Sequence, residues 1–221
     1  MGKKILGLFF VFFCLTSLVF AEEIKPVQLA LWSPIQLSTE NDSIKGLRLN
    51  LLYTDNLNVS GLTLGAGWAR TGGDMLGVSL GAVNWVDGLS FGFKGGILNY
   101  TGYRSVGLDI GAVNIGQGDT TGVQLGVVNW NVGFFHGWQC SLFNYVNGSF
   151  VGFQSGFVNM VNGNASGFQL GVVNSVSGTM TGFQLGLVNT TNSLKGIQIG
   201  LMDRNGSGGP MVVMLLANWS F

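Results

Sequence analysis

A repeat of fifteen residues constrains this chain more than any other feature of its sequence. Glycine recurs at that spacing through the middle of the chain, and asparagine follows each glycine seven residues later. These residues are Gly77, Gly92, Gly107, Gly122, Gly137, Gly152, Gly167 and Gly182, with Asn84, Asn99, Asn114, Asn129, Asn144, Asn159, Asn174 and Asn189. Further units begin at Gly46, at Gly61, at Gly196 with Asp203 in place of asparagine, and at Met211 with Asn218. Such a period predicts an array of small, equivalent structural units.

Within a unit, numbered here from its glycine as position 1, polar and apolar residues alternate. In the unit from Gly167, alternation predicts Phe168, Leu170 and Val172 on one face and Gln169 on the other. Helix is disfavoured, because each of several glycines per unit would cost about 1 kcal/mol relative to alanine. Turn pairs that suit two-residue hairpins recur at Asp87-Gly88, Asn147-Gly148, Asn162-Gly163 and Ser177-Gly178. The chain is therefore predicted to be all-β, a repeat of fifteen-residue strand units.

Position 3 of each unit carries a polar residue between neighbours that are usually apolar. This row consists of Arg48, Thr63, Ser79, Lys94, Asp109, Gln124, Gln139, Gln154, Gln169, Gln184 and Gln198. It predicts either the hydrated lumen of a barrel or the solvated outer face of a soluble protein. Lys94 and Asp109 occupy adjacent units, so an ion pair is predicted between them.

The chain carries little charge, and its first residues have the pattern of an export signal. Charged residues are 9% of the sequence, whereas a water-soluble surface normally carries far more. Residues 1–21 combine Lys3-Lys4, an apolar run and Ala21, as a secretory signal peptide does. No apolar run of about 20 residues follows, which excludes spanning helices. Residues 22–221 are predicted to form one β-repeat domain, with units from about residue 46 to residue 221.

Two short motifs resemble those of known bacterial proteins. The best-preserved units, from Gly122, Gly167 and Gly182, read GVQLGVVN, GFQLGVVN and GFQLGLVN. They resemble bacterial surface-repeat proteins with tandem G-[VF]-Q-[LI]-G-[VL]-[VI]-N units, which implies a surface or outer-membrane location but transfers no activity and no functional residues. The terminal Trp219-Ser-Phe221 resembles the assembly signal of outer-membrane β-barrels, which implies the outer-membrane assembly machinery as a partner.

Two architectures fit the repeat. In an antiparallel transmembrane β-barrel of about 12 strands, the apolar face would meet lipid and the Gly/Gln face would line the interior. A hairpin at Ser177-Gly178 would then place Phe168 opposite Leu187. The alternative is a β-solenoid with one coil per unit, in which the repeat asparagines stack in a hydrogen-bonded ladder at a corner. The barrel is preferred, because a solenoid with a Phe/Leu/Val core would leave the apolar residues of position 7, such as Val128, as an exposed strip.

The residues needed for catalysis are missing or dispersed. His136 is the only histidine, and it is predicted to lie at the surface or rim. Cys140 stands where other units have leucine, and it is predicted to be an apolar filler. Aspartates are scattered over separate units, so no metal site or cofactor is expected, and no basic surface suggests nucleic acid. The expected function is a structural or pore-like outer-membrane barrel with the lipid bilayer as partner and no catalysis. The alternative is a surface-exposed solenoid for adhesion or interaction.

Overall fold

The computed structural model describes residues 22–206 and 213–220, which form one continuous sheet of short strands. The first ten strands are β1 (Ile24–Trp32), β2 (Ile35–Gln36), β3 (Ser43–Asn50), β4 (Tyr53–Asn56), β5 (Val59–Gly65), β6 (Trp68–Thr71), β7 (Met75–Leu80), β8 (Val83–Val86), β9 (Leu89–Thr101) and β10 (Arg104–Gly116). The others are β11 (Thr120–Leu125), β12 (Val128–Asn131), β13 (Phe135–Cys140), β14 (Phe143–Val146), β15 (Phe150–Ser155), β16 (Val158–Val161), β17 (Ala165–Leu170), β18 (Val173–Leu185), β19 (Val188–Asn205) and β20 (Val213–Ser220). The all-β prediction is confirmed for the described residues.

Equivalent positions of successive units lie directly above one another, because their strands pair in parallel. Gln139 in β13 pairs with Gln154 in β15, and Asn144 in β14 pairs with Asn159 in β16. Each unit is therefore one coil of a β-solenoid, the alternative that the sequence leaves open. The expected antiparallel barrel is wrong, since Phe168 of β17 pairs with its equivalent in the next unit, Phe183 of β18.

Each coil has two strand segments separated by two bends. In the coil that contains β13 and β14, the first bend is at Ser141-Leu142, which are positions 5 and 6. The second bend is at positions 11 to 13, where Asn147-Gly148 leads on to the next coil. The turn pairs of the sequence thus change the direction of a coil and do not form the predicted hairpins.

The glycine at position 1 is required by the close stacking of the coils. From Gly46 to Gly196 these glycines have φ between 126° and 145°, a region that other residues rarely adopt. A Cβ atom on Gly152 would lie 1.9 Å from the carbonyl oxygen of Gly137 in the coil below. Position 1 therefore accepts no side chain, which explains its glycine in every coil.

The interior of the solenoid is largely polar. Positions 3, 8, 10 and 14 point inward, and positions 3 and 8 carry the Gln/Lys/Asp row and the repeat asparagines. Apolar side chains fill part of positions 10 and 14 in the second half of the chain. This cluster comprises Phe135, Val146, Phe150, Val161, Ala165, Val176, Met180 and Leu194.

The Phe/Leu/Val face that the sequence predicts for a solenoid core is on the outside. Phe168 is 54% exposed and Leu170 is 43% exposed, whereas Gln169 and Asn174 are buried. The reason is the bend at Gly171-Val172, which interrupts the alternation between position 3 and position 8. Gln169 at position 3 and Asn174 at position 8 can therefore both face inward, although an uninterrupted strand would place odd and even positions on opposite faces.

Both ends of the stack depart from the repeat. At the start, β1 pairs in parallel with β3, and β2 folds back antiparallel on β1. At the end, β20 lies antiparallel to β19, so Gln198 pairs with Asn218. The predicted unit with Asn218 is therefore not another coil. The predicted signal peptide (residues 1–21), Met211 and Phe221 lie outside the described residues.

Candidate functional site

The glutamines of the position 3 row form a buried ladder. Each side-chain Nε2 donates to Oε1 of the glutamine in the preceding coil over 2.6–3.1 Å, from Gln198 down to Gln124. All eleven residues of the row are at most 6% exposed. The row is therefore neither a hydrated lumen nor a solvated face. Its glutamine amides bond to their own copies, as buried polar groups require, except Gln124 Nε2 and Gln198 Oε1 at the two ends of the ladder.

The repeat asparagines form a second ladder, as the solenoid alternative predicts. From Asn84 to Asn189, each Nδ2 donates over 2.8–2.9 Å to Oδ1 of the next asparagine or, at the end, over 2.7 Å to Asp203. Most also donate to a backbone carbonyl of the next coil, as Asn144 does to Ser155 at 2.9 Å. Asp203 ends the ladder, where only an acceptor is needed, and burial raises the pKa of its carboxyl.

Lys94 and Asp109 form the ion pair that their spacing predicts. Lys94 Nζ lies 3.0 Å from Asp109 Oδ1, and both side chains are inside the solenoid. The hydroxyls of Ser90, Thr101 and Ser105 accept hydrogen bonds from the same ammonium group at 2.6–3.2 Å. Burial lowers the pKa of Lys94. The pair therefore fills two places of the position 3 row without reaching solvent.

The first coils carry two arginines with contrasting surroundings. Arg48 is buried in the position 3 row, where Nε donates to Thr63 at 3.1 Å, and burial lowers its pKa to about 10. Arg70 lies on the outer side and bridges Asp55 and Asp87, at 2.7 Å each. The hydrogen bond that Arg70 donates to Asp55 is the main cause that raises the pKa of Arg70. These groups are bonded to one another and do not converge on a cleft.

One long edge of the solenoid is apolar. It is formed where positions 4, 6 and 7 of successive coils surround the first bend, and we call it the apolar edge. Its apolar residues are Leu80, Ala82, Val83, Ile97, Leu98, Ile110, Ala112, Val113, Leu125, Val127, Val128, Leu142, Phe143, Phe157, Val158, Leu170, Val172, Val173, Leu185, Leu187, Val188, Ile199, Leu201 and Met202. Those of position 6 protrude most, with Ile97 65%, Leu142 63% and Leu187 50% exposed. The position 7 residues, such as Val128, that the sequence predicts as an exposed strip in a solenoid are half-buried, and the exposed strip is formed mainly by positions 4 and 6.

The backbone at the apolar edge is hydrogen-bonded from coil to coil. Gly126 N donates to Cys140 O at 3.0 Å, Val127 N to Ala112 O at 2.9 Å, and Phe143 N to Val127 O at 3.0 Å. Bonds of the same kind recur in the other coils. The amides of the bend consequently do not need water as a partner, a condition that lipid imposes on any backbone it contacts.

The opposite long edge is polar, and we call it the polar edge. It consists of positions 11 to 13, which carry Asn, Asp, Ser, Thr and Gly in most coils. Between residues 77 and 192 the charged residues other than buried Lys94 and Asp109 are Asp87, Arg104 and Asp119, and all three belong to this edge. The rest of the surface of these coils is therefore uncharged.

Aromatic side chains at position 9 lie between the two edges. Trp85 stacks on Tyr100 with ring centroids 3.8 Å apart, and Trp130 stacks on Tyr145 at 4.1 Å. Trp85 Nε1 donates to Asp87 Oδ1 at 2.7 Å, so its polar atom is directed to the polar edge. Tryptophan and tyrosine with this orientation are typical of a boundary between lipid and water.

The described residues contain no group of three or more His, Cys, Asp or Glu side chains that could hold a metal ion. His136 is exposed on the outer side, next to the ring of Phe134. Cys140 is a free thiol, half-buried at position 4 of the apolar edge, where most other coils carry leucine or isoleucine. Within the same described ranges, no helix is long and apolar enough to cross a membrane.

The surface division between the two edges is the feature that sequence reasoning missed. The clearest sign of this division in the sequence is position 6, which is apolar in every coil, whereas positions 11 to 13 are polar in most coils. Comparison with protein-family models, with curated proteins and with solved structures finds no match for this chain.

Proposed function

We propose that this protein is an exported, non-catalytic surface protein that lies on the outer membrane. The axis of its solenoid runs along the membrane surface, and the apolar edge contacts the lipid chains. The polar edge faces water and offers amides and hydroxyls to interaction partners. The observation that carries this proposal is the division of a solenoid with few surface charges between residues 77 and 192 into one apolar and one polar long edge.

Lipid explains the apolar edge better than a protein partner does. Protein interfaces carry about one hydrogen bond per 100–200 Å², but this edge presents alkyl and aromatic groups over a backbone that is already bonded. It also continues along nine coils, from Leu80 to Met202, which at about 4.8 Å per coil gives a strip of roughly 40 Å. A strip of that length exceeds the apolar patches of ordinary monomers.

Vesicle flotation of the purified protein tests the proposal. We expect binding to uncharged phosphatidylcholine vesicles that persists in 1 M salt, because the contact is apolar and not ionic. Replacing Ile97 and Leu187 together by arginine puts charge on the apolar edge. Loss of two buried side chains, at about 1.5–3 kcal/mol each, should weaken binding at least a hundredfold.

The matched control places the same two charges on the polar edge, through Gln117→Arg with Ser177→Arg. This variant should float like the unchanged protein, since both residues are exposed and lie in the bends away from lipid. Flotation of the Ile97/Leu187 variant at the level of this control would rule out the apolar edge as the lipid contact. Circular dichroism of both variants establishes that the solenoid is intact.

A further inference from the structure

A shallow groove interrupts the apolar edge. Position 4 carries leucine at Leu125 and Leu170, but the two coils between them carry the smaller Cys140 and Ser155. The groove they leave has a volume of about 550 Å³. Leu142 and Phe157, which are 63% and 59% exposed, form one wall of it. This volume lies within the range of about 300–1,000 Å³ found for small-molecule sites.

The groove offers almost no hydrogen bonds to a ligand. Its floor is the first bend, where the amides of Gly126, Ser141 and Gly156 donate to the carbonyls of the next coil at 2.9–3.0 Å. The Ser141 hydroxyl is turned inward and donates to Asn144 Oδ1 at 2.8 Å. The side-chain polar groups left for a ligand are the Ser155 hydroxyl and the weakly bonding Cys140 thiol, so a peptide in this place would leave most of its own amides without partners, which costs free energy. An unbranched hydrocarbon chain has no such groups.

The direction of the groove also suits a chain molecule. Its small residues occupy consecutive coils, so the groove runs along the solenoid axis, from Gly126 to Leu170, the leucine of position 4 that lines its far end. No charged residue lines it, so nothing in the groove is suited to a headgroup. The ligand chemistry is therefore that of a single acyl chain.

We infer that this groove binds the hydrocarbon chain of one free fatty acid, whose carboxylate stays in water, in a saturable site distinct from the general contact of the apolar edge. The inference rests on the proposed function, because the groove lies on the edge assigned to lipid. It adds a specific place, in the coils of Cys140 and Ser155, and a ligand class.

Binding of cis-parinaric acid, whose fluorescence rises when it is shielded from water, tests the inference. The purified protein should bind it saturably at one molecule per chain. Ser155→Leu restores the residue that position 4 carries in Leu125 and Leu170, so it fits the coil and fills the groove. We expect it to weaken binding at least tenfold. Ser166→Leu adds the same side chain at an exposed site outside the groove and should leave binding unchanged.

Cys140 provides a second readout in the groove itself. With Cys14→Ser present, Cys140 is the only thiol of the chain, since the sequence has two cysteines. Palmitate should slow its reaction with N-ethylmaleimide in the protein with Ser155 and not in Ser155→Leu. Equal rates with and without palmitate, or parinaric acid binding that Ser155→Leu leaves intact, would overturn the inference.

The two proposals can fail separately. Flotation with vesicles but no saturable parinaric acid site would refute the groove and retain the lipid contact of the apolar edge. A saturable site sensitive to Ser155→Leu in a protein that does not float would support the groove and refute the proposed function. Ser155→Leu should itself float normally, because it makes the apolar edge more apolar.

Discussion

The buried Lys94–Asp109 pair shows what single residues contribute to this interior. Asp109 is shorter than glutamine, and its carboxylate is bonded to Lys94 and Ser105. As a result Gln124 Nε2, the first donor of the glutamine ladder, has no hydrogen-bond partner among the described residues. The ion pair thus replaces two glutamines of the ladder, and it leaves the next glutamine, Gln124, without an acceptor for its amide.

Removing one member of the pair should therefore destabilise the protein, whereas replacing both should not. We expect Lys94→Gln alone to lower the free energy of unfolding by about 3–5 kcal/mol, because it leaves a buried carboxylate unpaired. Lys94→Gln with Asp109→Gln extends the ladder and gives Gln124 an acceptor. The double variant should be at least as stable as the unchanged protein in urea unfolding. A double variant as unstable as the single one would contradict this account.

Asp203 should make stability depend on pH. Its pKa is raised above the ordinary value of 3.8 by burial, so the folded state holds the proton more tightly than the unfolded state. Its contribution to stability is complete below 3.8 and is lost as pH rises through the folded-state pKa. Asp203→Asn keeps an acceptor for Asn189 without a carboxyl group. In urea unfolding at a series of pH values, its advantage in unfolding free energy should appear only as pH rises through that window and should then level off.

At the level of the strand, the position 1 glycine determines whether coils can stack. Gly152→Ala should lower stability by more than about 3 kcal/mol, because the strained φ and the contact with Gly137 O both oppose a side chain. Gly72→Ala is the matched control, since its Cβ would meet nothing nearer than Asn56 O at 3.9 Å. That variant should be unchanged or slightly stabilised in thermal unfolding. Equal losses in the two variants would refute a special role for position 1.

The strands themselves could be predicted from the sequence, but their inward face could not. The period, the glycines and the turn pairs identify a β-repeat, and the Asn column suggests a ladder. If the alternation of side chains is counted straight through Gly171-Val172, Asn174 is assigned to the outer face. The bend at these two residues interrupts the alternation, so Asn174 points inward. The polarity of Gln169 predicts exposure, whereas in a parallel stack its amide is satisfied by the equivalent residues of neighbouring coils. Composition alone does not reveal that partner.

For the whole molecule, stacking of equivalent coils predicts tolerance to loss of a complete unit. Deleting residues 152–166 would bring Gln139 onto Gln169 and Asn144 onto Asn174, so both ladders would close again. The protein should keep its β circular dichroism and lose only about 1–2 kcal/mol, at roughly 0.1 kcal/mol per residue. Deleting residues 152–159 removes about half a coil and should abolish cooperative unfolding. Equal behaviour of the two deletions would argue against independent coils.

The two ladders run in opposite senses through the molecule: asparagine amides donate toward the C-terminal end, and glutamine amides donate toward the N-terminal end. Their dipoles therefore oppose one another, unlike the peptide dipoles of an α-helix, which add along its axis. Because the two ladders oppose one another, their electric field does not grow as coils are added. Neither end of the solenoid therefore needs a charged residue to compensate the ladder dipoles. Gene duplication could thus lengthen such a protein without an electrostatic limit on the number of its repeats.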